Sequence, residues 1–305
     1  MEVQFMSIVV LGTVALDSIK TPAGLRKNLL GGSAAHFAMS ANFFTKVHLA
    51  GVIGRDFPEQ HIEFLKHRNI NLDALTRQKG KTFKWQGEYK KEDLNTALTL
   101  NTELGVLASS FPVLSKQQLR MKNVFLANYA PDLQERFLKE IGSAQFVGLD
   151  TMNLWINTQV KSVKKLLKQV NIVIVNETEA KQLSGQNNLM AAAKFLYALG
   201  PQMVIIKKGE HGALFYSNTL TCILPAYPVE NVVDPTGAGD TFAGGVMGYI
   251  TKSRKLNASV LRRALGYGII FSSFNVQDFG LKRTAVLETN DVRQRMAKFK
   301  ELLRF

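Results

Sequence analysis

The sequence predicts an α/β protein, a three-layer α/β/α sandwich whose central sheet is mainly parallel. Three observations carry this. Short β-branched runs such as Ser7 to Gly12 and Ile172 to Val175 alternate with longer amphipathic stretches, the pattern of strands joined by crossover helices. The chain has 305 residues and 46 % hydrophobic content, enough to bury a full core. One segment, Thr82 to Leu104, breaks the rhythm. Its alternating runs FKWQGEY and ALTLNTEL, joined by polar KKEDLN, read as an inserted β-hairpin.

Taken in order, Ser7 to Gly12 reads as a strand, Ser33 to Thr45 as a helix, Val47 to Val52 as a strand and Pro58 to Arg68 as a helix. After the hairpin, strands at Val124 to Ala127, Phe146 to Asp150, Ile172 to Val175 and Met203 to Lys207 alternate with helices. Those helices span Leu133 to Ile141, Trp155 to Lys168, Thr178 to Leu183 and Leu189 to Leu199. Between Gly212 and Val233, short strands with turns at Ser217-Asn218 and Pro225 predict antiparallel hairpins at the sheet's end, and helices return from Ala238. No low-complexity linker or internal repeat divides the chain, so residues 1–305 read as one domain.

A single cysteine, Cys222, excludes an internal disulfide and fits a reducing, cytoplasmic compartment. The apolar run Phe5 to Leu11 follows Glu2 and lacks a small-residue cleavage site, so a buried first strand explains it better than a signal peptide. No apolar stretch reaches the roughly 20 residues that span a bilayer. Thirty-eight basic and 24 acidic residues give a net charge of +14. The basic residues are dispersed, without a long basic tract or interleaved aromatics, which is the pattern of a solvated surface rather than a nucleic-acid site.

Chemistry concentrates in DPTGAGDTFAGG, Asp234 to Gly245, which opens a helix. Gly237 and Gly239 let the backbone approach a ligand, and amides at a helix start suit a phosphate or a developing anion. Asp240 at that helix start has an ordinary role as a cap. Beside a phosphate-binding turn it also suits proton acceptance from an attacking hydroxyl. No GxxxxGK[ST] loop occurs, and GAGDTF fails GxGxxG because Phe242 holds the third glycine position, which disfavours both a P-loop and a dinucleotide site.

The segment DPTGAGDTFAGG resembles the C-terminal signature of the ribokinase-like (PfkB-type) carbohydrate kinases. Gly31-Gly32-Ser33 before an Ala-rich helix, and GVIGRDF at Gly51 to Phe57, resemble that family's N-terminal region. The resemblance implies a ribokinase-like fold in which a β-lid, about 13–30 and 82–106, closes over the substrate and offers a candidate dimer surface. It implies ATP-dependent phosphotransfer to a hydroxyl of a small sugar-like acceptor. A nucleoside kinase and a non-catalytic ligand-binding regulator are the alternatives.

By this resemblance Asp240 is the catalytic base and Gly237, Ala238 and Gly239 form the anion hole, with Thr236 beside the nucleotide. Asn176 and Glu179 in NETE match an N-x-x-E motif that helps hold Mg²⁺ through water, a demand one carboxylate can meet; a helix cap is the ordinary role of the same pattern. Lys208, Gly209 and Gly212 match a nucleotide-side turn, or a plain hairpin turn with a surface lysine. Ser272, Asn275 and Gly280 fall where the family builds its adenine pocket. Asp234 is a candidate contributor to a K⁺ site.

On the acceptor side, Asp17 resembles the family's hydroxyl-binding acid, with Gly31, Gly32 and Ser33 at the hinge between lid and body. Where family members commonly carry Asn after the glycine pair, this chain has His36, a candidate substrate contact or an ordinary packing histidine. Asn128 and Asp150, near strand C-terminal ends, are further pocket candidates.

Overall fold

The computed structural model describes residues 7–253 and 255–304. The expected first strand begins within them; Phe5 and Met6 lie outside the described residues. The chain starts with β1 (Ser7–Leu11), β2 (Ala15–Thr21), β3 (Gly24–Gly31), α1 (Ser33–Ala41), β4 (Lys46–Ile53), α2 (Glu59–His67) and β5 (Leu75–Arg77). It continues through β6 (Lys84–Lys90), β7 (Asp93–Glu103), β8 (Asn123–Leu126), α3 (Pro131–Ile141), β9 (Phe146–Leu149), α4 (Asn153–Thr158) and α5 (Val160–Leu167). Next come β10 (Ile172–Asn176), α6 (Glu177–Ser184), α7 (Leu189–Ala198), β11 (Met203–Lys207), β12 (Ala213–Tyr216) and β13 (Thr221–Leu224). Four helices end the chain: α8 (Ala238–Lys252), α9 (Ala258–Asn275), α10 (Lys282–Ala285) and α11 (Thr289–Leu302).

Nine strands form the main sheet in the order β13-β12-β11-β10-β9-β8-β1-β4-β5, parallel except for the antiparallel β11-β12-β13 edge that the turn residues predicted. Its central strands are almost wholly apolar because both faces are covered, as a parallel sheet requires, whereas the edge strands β5 and β13 are partly exposed. Ile8, Ile174 and Ile205 face α1, α8 and α9, whereas Val9, Val175 and Ile206 face α3, α5, α6 and α7. One-residue alternation along each strand therefore decides which helical layer a side chain meets.

Two predicted helices are shorter than expected. The stretch from Ser33 stops at Ala41, where Phe43 and Phe44 N–H groups turn back to Ser40 and Ala41 carbonyls and tighten the end into a turn. The stretch Trp155 to Lys168 is two helices, broken at Gln159, whose φ of −138° leaves the helical region.

The inserted segment is a four-stranded sheet, β3-β2-β6-β7. Two antiparallel hairpins are joined by a parallel pairing of β2 with β6, from Leu16 opposite Lys84 to Lys20 opposite Glu88. This sheet folds over the C-terminal end of the main sheet. Ile19 and Tyr89 pack with Phe279, and a Cβ added at Gly209 would run into the side chain of Asn95 in β7.

Candidate active site

Three strand ends and one helix start assemble the site. Alternation sends Leu149, Val175 and Ile206 toward the α3 to α7 layer and turns the next residues, Asp150, Asn176 and Lys207, toward α8. Lys207 Nζ donates to Asp150 Oδ2 at 2.9 Å, with only 16 % and 6 % of the two side chains exposed. Sequence reasoning passed over Lys207 in favour of its neighbour Lys208. The available signal was a lysine ending an otherwise apolar strand, a place where lysine is seldom buried without a partner.

Gly237 caps α8 with φ +72°, the left-handed region that favours glycine. The first N–H groups of a helix have no intrahelical acceptor. Ala238 satisfies its own with the Pro235 carbonyl at 3.1 Å, and the Asp240 N–H bonds its own carboxylate. A Cβ on Gly239 would lie 3.0 Å from Lys207 Nζ, so the turn and the ammonium share one small volume. Burial and the negative charge of Asp150 push the Asp240 carboxyl up to about 7, against the opposing pull of Lys207.

Asn176 and Glu179 form a reciprocal cap on α6. Glu179 N–H donates to Asn176 Oδ1 at 2.8 Å, and Asn176 N–H donates to Glu179 Oε2 at 2.7 Å. The helix-cap role is thus realised and leaves Oε1 of Glu179 without a share in the cap. Burial, then the Asp150 charge, pushes the Glu179 carboxyl up to about 8. A buried, partly committed carboxylate near a glycine turn fits a divalent ion that keeps most of its water. Among the described residues, no three acidic, histidine or cysteine side chains group as a ready-made metal cage.

On the acceptor side, Asp17 of β2 is 4 % exposed and pushed up to about 7, chiefly by burial, with the Gly32 N–H lowering it and the Asp234 and Asp240 charges raising it further. A Cβ on Gly31 would overlap the Asp17 carboxylate. Ser33 and Thr13 lock the lid's root: each backbone N–H donates to the other's hydroxyl oxygen at 3.0 Å. Asn128 Oδ1 accepts from the Trp155 indole at 2.9 Å.

Two candidate contacts are placed differently. Asn275, expected in the adenine pocket, is 0 % exposed. Its Nδ2 donates to the Thr236 carbonyl, so its Oδ1 accepts, from Thr241 Oγ1 and from His36 Nδ1, each at 3.0 Å. His36, read as a substrate contact or an ordinary packing histidine, is 1 % exposed and packs, its ring filling the space that a Cβ on Gly237 would need. Burial holds its imidazole down at about 4, so it is neutral, with the proton on Nδ1. Both residues brace the glycine turn from behind.

Lys208 and Gly209 enter a tight turn closed by Lys208 N–H on the Gly212 carbonyl at 2.7 Å, so the hairpin-turn reading is realised. Gly212 has φ +89°. Ser272 spends its hydroxyl on the Ile269 carbonyl, and the Gly280 N–H donates to Asp234 Oδ2 at 2.8 Å. Asp234 Oδ1 accepts from Thr236 N–H at 2.9 Å. Tyr89 of the lid accepts from Thr236 Oγ1 at 3.3 Å, tying lid to turn.

Residues 7–284 match the family model described as "pfkB family carbohydrate kinase". The chain belongs to the pfkB family of carbohydrate kinases. It is 29 % identical over 262 residues to the cytidine kinase of Thermococcus kodakarensis, covering 84 % of this chain and 92 % of that protein. Its fold superposes on the nucleoside kinase of Methanocaldococcus jannaschii with a TM-score of 0.77 and 20 % identity, over 96 % and 98 % of the two chains. It superposes on the fructokinase of Vibrio cholerae, solved with fructose, ADP and calcium, also at 0.77, with 17 % identity over 95 % and 99 %. This pfkB-family chain is accordingly an ATP-dependent kinase acting on a hydroxyl of a small sugar-like molecule. Kinases of the family use ATP, generally with a divalent metal.

Proposed function

We propose that this single-domain kinase transfers the γ-phosphoryl group of ATP to a primary hydroxyl of a furanose-bearing acceptor, with Asp240 as general base. The observation that carries the reading is the Asp240 carboxyl, raised to about 7 and set at the same helix start as the Gly237 to Gly239 turn. A base with a pKa near neutrality is mostly free to accept a proton at physiological pH yet basic enough to hold it.

In this mechanism Asp17 and Asn128 orient the acceptor, and Asp240 takes its proton as the oxygen attacks. The amide of Gly239 stabilises the charge spreading over the transferring group. Glu179 would hold Mg²⁺ through water; when bound, the ion neutralises phosphate charge. The Asp234 loop is where K⁺ would sit, through backbone carbonyls. Thr236, Lys208, Gly209 and Gly212 border the nucleotide.

A free sugar is one acceptor class. A nucleoside is the second, favoured by the likeness to a cytidine kinase along 92 % of that protein's length. Two copies would pair through the outer face of the lid, where Leu25 and Leu98 stand exposed on either side of the Lys20–Glu88 ion pair. The lone cysteine supports a cytoplasmic setting. Among the described residues no helix is long and apolar enough to cross a membrane.

The test is ADP release from Mg-ATP across a panel of sugars and nucleosides, with wild type and Asp240→Asn in parallel. The expected result is turnover with at least one acceptor and a loss of roughly 10²- to 10⁴-fold in the mutant. Equal turnover in both proteins would remove Asp240 as base.

A further inference from the structure

We propose that Lys207 is a catalytic residue: its ammonium, held at the glycine turn by Asp150, is the fixed cation that receives the transferring phosphoryl group. The inference rests on the phosphotransfer reading above and adds a residue to it.

Three observations carry it. Lys207 ends β11 on the face turned toward α8, so its side chain rises into the cleft and not into the core beneath it. Its Nζ lies where a Cβ on Gly239 would almost touch it, at 3.0 Å, which places a full positive charge beside the amide that would hold an anion. Three carboxylates, Asp150, Glu179 and Asp240, act on this one ammonium, which is bonded to Asp150 Oδ2 at 2.9 Å and pulls against the raised carboxyls of Glu179 and Asp240. The transferring phosphoryl group, arriving beside the glycine turn, would meet three acids, and Lys207 is the side chain positioned to offset that repulsion.

A purely structural ion pair is the competing account. Buried ion pairs add little net stability, because desolvation of the two charges offsets their attraction. A pair kept at the meeting point of three strand ends and a glycine turn, and facing the cleft, is better explained by what it offers a ligand.

In the reaction the acceptor oxygen forms its bond to Pγ as the bond from Pγ to the bridging oxygen breaks. That bond's electron pair stays on the β-phosphate of ADP, and the acceptor proton passes to Asp240. Lys207 keeps its three protons and donates hydrogen bonds to the equatorial oxygens of the moving group, a geometry that Asp150 presets.

The experiment measures binding of MgADP alone and of MgADP with aluminium fluoride, a mimic of the moving phosphoryl, by titration calorimetry. Lys207→Met alone orphans a buried carboxylate, so the decisive pair is Asp150→Asn against Asp150→Asn with Lys207→Met, both first shown to be folded by circular dichroism. The expected result is that removing Lys207 leaves MgADP affinity within about threefold and lowers the gain from aluminium fluoride by roughly 10- to 100-fold, the value of a hydrogen bond to a charged group. Lys207→Arg should recover part of that gain. An equal aluminium fluoride gain with and without Lys207 would show that the residue only neutralises Asp150 and overturn the proposal. A wild type that binds MgADP yet gains nothing from aluminium fluoride would instead overturn the phosphotransfer reading, and the role of Lys207 with it.

Discussion

The two halves of the cleft are built on opposite plans. The proposed phosphoryl side carries charge at strand ends and helix starts, with Asp150, Glu179, Lys207 and Asp240 brought together by β9, α6, β11 and α8. The turn behind it is held by neutral groups that spend their polar atoms on one another: His36, Thr236, Thr241 and Asn275. The proposed acceptor side draws on both parts, with Asp17 from the lid and Asn128 from the body. The charges of the proposed phosphoryl side thus stand on the main sheet and its helices, and the proposed acceptor acid Asp17 stands on the smaller sheet. The bracing of Gly237 by His36 is what joins the two, since α1 carries His36 directly after β3, an edge strand of the lid.

The sharpest way to break this comparison is Gly237→Ala. A side chain at φ +72° costs about 1–2 kcal/mol, and its Cβ would also displace the His36 ring. Turnover should fall by roughly 10²-fold, because a shift of about 1 Å in a positioning group has that effect. A rate within twofold of wild type would show that the turn needs no bracing.

The opposite charge plans also predict opposite pH behaviour. Asp240 is raised to about 7 in the fold, so the folded protein retains a proton that the unfolded chain has released near 3.8. Its contribution to stability is full below the unfolded value and is lost as pH rises through about 7. Asp240→Asn should therefore raise Tm relative to wild type more at pH 8 than at pH 4, by roughly 4 °C. Melting curves at the two pH values check this, and an equal Tm difference at both would refute the raised carboxyl.

His36→Asn is the mildest probe. His36 is lowered to about 4 from an ordinary 6.5, so the stability it contributes is present above 6.5 and lost as pH falls through about 4. An asparagine can still donate to Asn275 Oδ1 but leaves space under Gly237. We expect a turnover loss of about tenfold or less and a flatter fall of Tm between pH 6.5 and 4. An unchanged acid limb would mean that the ring is not the titrating group.

What the sequence revealed follows the same division. The turn and the base stand in twelve consecutive residues, Asp234 to Gly245, so their chemistry was readable together. The strands and most helices were readable from periodicity. Lys207 was missed because one residue ending the apolar run Met203 to Ile206 carries no pattern of its own. Only the partner at Asp150, supplied by a strand 57 positions earlier, gives it meaning. Asn275 was assigned to a ligand, and His36 left between substrate contact and packing, because distance along the chain does not reveal that two polar residues 239 positions apart satisfy each other. The lid was visible as a hairpin at Thr82 to Leu104. Its parallel pairing with β2 was not, because strands so far apart leave no turn signal.

That pairing makes the lid one plate: β2 and β6 bind its two hairpins edge to edge, so neither can lift without the other. Of the chain's two tryptophans, one lies in this joint and the other on the body. Trp85 is on the plate, bonded to Thr99, and Trp155 is on the body, bonded to Asn128, the residue proposed to meet the acceptor. The protein therefore carries its own pair of optical probes, one on the plate and one at the proposed acceptor side. Variants keeping a single indole would read those two places separately within one turnover.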